Sequence, residues 1–341
     1  MATLSTTVAN LADWAKRRDP DGTIAEIVEL LNQTNDILTD MLWRQGNTTT
    51  GHRTTVRTGL PTVAWRLLNQ AVAPSKSTTA QVDEGTGMLE AWSEVDVDLA
   101  KLEDDVDAFR LSEGMAFLEA LSQEMAQTFF YGNSGLAPEE FLGLTPRYSA
   151  ISGATNASNV ISAGGTGSDN MSIWVVGYGP NTVFGIFPKG SQAGIMHEDN
   201  GQQIVTGTTG IGGTRLKVFS ERWQWKAGLC VRDWRYAVRI CNIDVSDTVA
   251  NTTPPDLTLF LIKAIHRLPN RFIQTKRLPT SRAVIYMNRT AFEYFDVQGR
   301  KDVVAGGGLT YQNVDGEVRP TFRGIPVAIS DQLLETEAQV T

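Results

Sequence analysis

The sequence predicts a mixed α+β fold arranged along one long helix, and three observations carry that prediction. Leu111, Met115, Leu118, Leu121, Met125 and Phe129 recur at three- and four-residue intervals, the spacing of a single apolar helix stripe. Runs rich in β-branched and aromatic residues follow, "MSIWVVGYG", "TVFGIFP", "TRLKVFSERWQW" and "KAGLCVRDWRYAVRICNIDV", and these read as strands. The 31 glycines lie mostly between apolar segments, among Thr, Ser and Asn, as a turn-rich β structure requires. At 341 residues and 41% hydrophobic, the chain can form two domains with packed cores.

Two short helical patterns open the chain. Val8, Leu11, Ala12 and Ala15 mark one; Ile24, Ile27, Val28, Leu31, Leu38 and Met41 mark the next, after the Asp19-Pro20-Asp21-Gly22 break and with Thr23 as its cap. From Gly46 to about Glu94 the chain turns Thr-rich and extended, with too few large apolar side chains to bury much by itself. Val95, Val97 and Leu99 alternate with Asp96 and Asp98, the period of a half-buried strand. The long helix then spans about residues 105 to 130, roughly 40 Å at 1.5 Å per residue. Phe129, Phe130 and Tyr131 form its last turn, and Gly132 or Asn133 can adopt the left-handed conformation that ends it. A Gly- and Ser-rich loop, 151 to 168, separates the helix from the strands. Beyond Pro254 and Pro255, Leu257, Phe260, Leu261, Ala264, Ile265 and Leu268 form a second helix stopped at Pro269. "SRAVIYMNRTAFEYF" reads as a strand followed by a helix starting at Asn288, and the tail as a hairpin around Asp315-Gly316 with a closing strand. No internal repeat is visible.

Composition removes several function classes. The net charge of −8 argues against a general nucleic-acid binder, but the charge is uneven. From Gln81 to Thr145 there are 15 Asp and Glu against Lys101 and Arg110, a balance of −13; from Lys263 to Lys301 there are nine Lys and Arg against Glu293 and Asp296, a balance of +7. Either these are two solvated faces, or the acidic part of one copy meets the basic part of another, with Lys276 and Arg277 as candidates for that contact. Cys230 and Cys241 are too few for a secreted disulfide framework, which points to a reducing compartment. The N-terminus carries Lys16, Arg17 and Arg18 after its apolar residues, the reverse of a signal peptide, and no segment reaches the ~18 apolar residues of a membrane span. The expected protein is soluble, made in the cytoplasm and without a membrane partner.

The chemical motifs are weak. "GGTGSD" and "GIGGT" lack the Gly-Lys-Ser/Thr of a phosphate loop, and neither sits between a strand and a helix N-terminus. His52, His197 and His266 have no His or Cys partner at metal-ligand spacing, so no cofactor or metal is expected. Asp104, Asp105 and Asp107 lie where they favour the positive end of the long helix, although acid-base pairs assembled from distant positions stay open. Trp223, Trp225, Trp234 and Tyr236 interleave with Arg232, Arg235 and Arg239; alternate faces of β-strands account for this better than stacking on single-stranded nucleic acid.

Taken in order, the arm, the Thr-rich extended loop, the long helix, "FFYGNSGLAPEEFLGLTPRY", "VIYMNRTAFEYF" and the closing "FRGIPVAISDQL" resemble the major capsid proteins of tailed bacteriophages. No one of these motifs is specific; their order and spacing are. The resemblance covers nearly the whole chain and is closest over 9–148 and 257–333. One element departs from the family pattern: "WKAGLCVRDWRYAVRICNI" precedes the helix at 257, where most of the family has its counterpart after the Gly-x-Pro-Val strand.

The resemblance implies the Hong Kong 97-like capsid fold, with permuted connectivity. Its parts would be an N-terminal arm over 1–45, an extended E-loop over 46–100, a P-domain with the spine helix over 101–256, and an A-domain with the closing strand over 257–341. It further implies a non-enzymatic shell subunit that assembles with itself into hexamers and pentamers of an icosahedral head. Portal, separate scaffolding or cement proteins and packaged double-stranded DNA would be its partners, the last through non-specific contact. An encapsulin-type nanocompartment shell is the alternative in a related class, and a soluble β-rich enzyme the alternative in another. Phe129, Phe130 and Tyr131 would anchor the spine helix. Some relatives weld their subunits through a loop lysine; the E-loop lysine is Lys76, with Asp83 and Glu84 just beyond it. Its Ser and Thr neighbours offer no apolar pocket to free the amine, so a non-covalent shell is expected.

Overall fold

Apolar alternation and helix caps divide the chain in a definite order. The computed structural model describes residues 33–102, 106–206, 215–250, 254–269, 282–301, 310–314 and 317–341. Along it run α1 (Ile37–Asp40), β1 (Trp43–Gln45), β2 (Gly51–Gly59), β3 (Thr78–Gly85), β4 (Gly87–Asp96), α2 (Val97–Ala100) and the long helix α3 (Val106–Tyr131). Then follow β5 (Val160–Ser162), β6 (Asn170–Tyr178), β7 (Val183–Phe187), β8 (Ile195–Thr206), β9 (Arg215–Val231), β10 (Ala237–Asp244) and α4 (Val245–Ala250). The chain ends with α5 (Leu257–Arg267), β11 (Arg282–Met287), α6 (Arg289–Lys301), β12 (Thr310–Val314), β13 (Glu317–Phe322) and β14 (Ile325–Ile329). The first expected N-terminal helix, the second as far as residue 32, Asp104, Asp105, the Asp315-Gly316 turn, Lys276 and Arg277 lie outside the described residues; of the second helix's end, α1 (Ile37–Asp40) is the helical part.

The described residues divide into two compact units, one drawn from 33–35, 88–126 and 194–226, the other from 36–87, 127–193 and 227–341. The sequence-drawn boundary at 256 falls inside the second unit, where β11 pairs with β6. In the first unit, β8 and β9 form an antiparallel ladder from Ile195↔Trp225 to Thr206↔Arg215. Val95, Ala100 and Phe109 make its small core with Val106 and Phe219 packed against them. Gly114 lets the helix approach closely there, since a Cβ would stand 3.1 Å from the Trp223 ring. Arg110 of α3 lies over Phe219 and reaches Glu221 at 2.6 Å and Asp199 at 2.8 Å. Glu221 also holds Nε2 of His197 at 2.9 Å, and that ring stacks on Trp223.

Two expectations change in this unit. The Val95-Val97-Leu99 alternation is not one strand. β4 stops at Asp96, whose carboxylate accepts the Asp98 N–H at 2.8 Å and starts α2, so the three side chains are buried by a strand end and a helical turn. Nor is the long stripe wholly core, since Leu111 is 69% exposed and Met115 53%, while Leu121 and Met125 are buried.

In the second unit β6 is buried along its whole length, flanked antiparallel by β10 and β11. β14 joins β11 in parallel, and β13 and β12 continue as an antiparallel meander. β1 lies parallel to β7. Asp256 caps α5 by accepting the Leu259 N–H at 3.0 Å, and Asn288 caps α6 through the Ala291 N–H at 2.7 Å. The apolar face of α5, with Leu257, Leu261, Ala264 and Ile265, packs on β10 and α6. Both cysteines are free and fully buried, and burial pushes Cys230 up to about 12 and Cys241 up to about 11.

Buried charge ties down the C-terminal tail. Glu337 takes Arg239 at 2.9 Å and the Tyr131 hydroxyl at 2.5 Å, and it also accepts from Ser172. Asn242 brackets Val340 with a bond in each direction, both 2.8 Å. A second buried carboxylate, Asp40, holds Arg282 and Arg319 at 3.0 Å each.

Candidate assembly surfaces

The extended loop predicted from Thr-rich sequence is an antiparallel hairpin, β2 with β3, registered from Gly51↔Gly85 to Gly59↔Thr78. Its polar strands bury little, and the ladder is reinforced by Arg53 bonding both oxygens of Asp83 at 2.5 and 2.8 Å. Asp83 is thereby engaged on its own hairpin, and that ion pair holds its carboxyl below the usual carboxylate range. Lys76 lies exposed on the returning leg.

Beyond the ladder, "LPTVAWRLLNQAV" carries the hairpin tip. Leu60, Val63, Trp65, Leu67 and Leu68 are all at least 70% exposed. A soluble chain rarely presents a contiguous apolar set of this kind unless another molecule covers it. The reading of this region as poor in large apolar side chains therefore holds for its strands and fails at its tip.

The hairpin root is rigid. A Cβ on Gly51 would stand 2.1 Å from the Glu84 carbonyl oxygen, and one on Gly46 would stand 2.3 Å from that of Gly51. Asn47 clasps the Arg53 backbone with two bonds of 2.7 Å. His52 accepts the Asn47 N–H at Nδ1, and burial, then Arg44 and Arg232, hold its pKa below the ordinary value. Glu84, an inter-subunit candidate from sequence, is instead 5% exposed and bound by both Arg147 nitrogens at 2.7 and 2.6 Å. Arg147 also donates to the carbonyls of Gly143 and Leu142, each at 3.1 Å. This one guanidinium therefore fixes the hairpin root to the loop that follows the long helix. Arg147→Ala leaves a buried carboxylate unpaired, and equilibrium unfolding should show a loss of about 3 kcal/mol. The paired change Arg147→Met with Glu84→Gln should recover most of it.

The helix end predicted as an anchor packs within the second unit. Phe129 and Phe130 are completely buried. Phe129 meets Trp43 edge-on at 5.8 Å and Phe141 at 4.8 Å, Phe130 meets Tyr286 at 6.1 Å, and Tyr131 donates to Glu337. The stop is not left-handed, since neither Gly132 nor Asn133 has a positive φ. Gly132 and Gly143 are glycines because the returning loop crosses the helix end backbone to backbone. Gly143 N–H donates to Gly132 O at 2.8 Å and Leu144 N–H to Phe129 O at 3.0 Å. Sequence reasoning missed Arg147, Trp65, Trp43 and Glu337. The apolar run around Trp65 was the legible signal among them; the other three acquire their roles only through tertiary partners.

A subunit whose hairpin tip and the start of whose helix stripe, Leu111 and Met115, stay uncovered belongs to the class of proteins that pack against further molecules. The chain belongs to the family of the major capsid protein GP7, which it matches over residues 19–341. It is similar to the chain of the bacteriophage epsilon15 structure, with a TM-score of 0.77 and 31% identity over 100% of this chain and 99% of that one. More distant likenesses are the bacteriophage JBD30 capsid (TM-score 0.46, 8% identity, 90% of this chain and 93% of that one) and the SrpI encapsulin of Synechococcus elongatus (0.43, 10%, 69% and 97%). No curated protein sequence matches it. The fold is the Hong Kong 97-like capsid fold, and the protein is a phage major capsid protein, a structural subunit of the virion shell.

Proposed function

We propose that the chain assembles in the host cytoplasm into the hexamers and pentamers of an icosahedral head that encloses the double-stranded DNA of a tailed phage. The observation that carries this reading is the exposed apolar tip around Trp65, together with the open stripe of Leu111 and Met115 on α3. In this proposal the tip of one copy covers the stripe of a neighbour. The long helix α3 serves as the spine of the P-domain, and the β2–β3 hairpin as the extended E-loop. The subunit works by geometry and without catalysis. Portal, scaffolding or cement proteins are its partners, and it contacts DNA without sequence preference. The basic stretch holding Lys276 and Arg277 meets acidic surface on another copy. Lys76, exposed beside Ser75 and Ser77, stays unreacted.

Negative-stain microscopy of the purified protein tests the reading. Closed shells or capsomer rings support it, and a monodisperse particle of ordinary oligomer size removes it.

A further inference from the structure

We propose that a cleft beside β2 of the extended hairpin is an oxyanion site that receives a carboxylate from a second copy of this chain. The inference rests on the shell function. The cleft has a volume of about 460 Å³ and lies within the second unit. β2 contributes Thr55, Val56 and Arg57 to one wall, and Asn181, Arg232 and Arg235 stand on the other.

Three guanidiniums line this cleft with a single carboxylate, Asp233. That carboxylate is already taken, because Arg235 binds both its oxygens at 2.9 and 2.6 Å. Arg232 donates to the neutral amide oxygen of Asn181 at 2.7 Å. Among the described residues, neither Arg57 nor Arg232 pairs with a carboxylate. Arg44 adds positive charge alongside, donating to the Pro180 carbonyl next to Asn181 at 2.9 Å. The field of Arg44 and Arg232 extends to His52 at the hairpin base. Guanidinium groups with unused donors match a carboxylate in charge and in the geometry of two parallel bonds.

The occupant follows from the chain's own charge. The stretch from Gln81 to Thr145 has a balance of −13, and it presents Asp98, whose side chain is 94% exposed and, among the described residues, meets only the exposed Lys101, at the long distance of 4.0 Å. A duplex would need a row of cations along a surface; this site is one short open cleft, its cations interrupted by Asp233 and flanked by Val56 and Trp234. A carboxylate bound here would join β2 to the 232–235 turn and set the direction in which the hairpin leaves its subunit. The contact between copies would thus orient the arm that makes the next contact.

The test uses full-length chains carrying Arg57→Gln, Arg232→Gln or both, beside the wild type. Shell assembly is followed by light scattering across a salt series. Dissociated subunits are titrated with a labelled peptide of residues 92–102, with inorganic phosphate and a 20-base-pair duplex as competing probes. The wild type should form shells and bind the peptide, and each variant should bind it about tenfold more weakly or worse. Assembly of the variants should be slower and less salt-dependent. Arg57 is exposed on the hairpin, so Arg57→Gln should unfold at the wild-type temperature. Variants that assemble at the wild-type rate at every salt concentration would overturn the proposal. So would a cleft that takes phosphate or duplex but not peptide. A wild type that forms no shell would instead remove the shell function on which the proposal rests.

Discussion

Gly143→Ala should destabilise the subunit by about 3 kcal/mol or more and leave little folded protein at 37 °C. The reason is steric and local. A Cβ at this position would lie 2.6 Å from the Thr128 carbonyl oxygen and 3.0 Å from both Gly132 N and Phe129 O. All three are backbone atoms of the helix end, so no side chain can swing aside. Moving the loop would break the Gly143-to-Gly132 and Leu144-to-Phe129 hydrogen bonds and pull Phe141 off Phe129. Gly85→Ala is the matched control. Its Cβ would meet nothing within 4 Å, and its φ is not positive, so stability should change by no more than about 1 kcal/mol. Denaturant unfolding of the two variants beside the wild type measures the difference.

Trp65→Ser combined with Leu68→Ser should have the opposite signature, a folded subunit that cannot close a shell. Both side chains are almost entirely exposed, so removing them costs the isolated chain almost nothing. Covering them on a neighbour would contribute about 3 kcal/mol per contact, which raises the critical concentration for assembly about a hundredfold. Sedimentation across a concentration series reads that shift directly. Unchanged assembly would show that the tip is not part of the interface.

Local periodicity made much of this fold legible. The helix expected over 105–130 is α3, Val106–Tyr131, and the helix stopped at Pro269 is α5, Leu257–Arg267. "VIYM" and the following "RTAFEYF" became β11 and α6 because β-branched residues gave way to an Asn288 cap. Where the reading failed, the deciding partner was remote. β8, with "HEDNGQQ" at its centre, has no apolar alternation and is a strand only because β9 supplies its ladder. The two runs expected on either side of Trp225 merge into one strand, β9, because three different strands, β8, β7 and β4, bond to it.

The candidate surfaces show the same division. Tyr131 and the two phenylalanines before it were visible as an aromatic helix end, but Glu337, which receives the Tyr131 hydroxyl, is 206 residues away. Gly132 was visible as a helix stop, yet its reason is the close crossing at Gly143 rather than a left-handed turn. Glu84 was legible as an acidic residue near the loop, and only the fold shows that Arg147 binds it inside its own subunit.

Amide hydrogen exchange across residues 60–77 tests the central claim most directly, because this segment has no strand partner among the described residues and carries the exposed apolar set. In dissociated subunits these amides should exchange within seconds, and in intact shells they should be protected by a factor of about a hundred or more, in line with the assembly energy expected for Trp65 and Leu68. Equal exchange in shells and subunits would show that no neighbour covers the tip, and would contradict the account of how this capsid protein closes its shell.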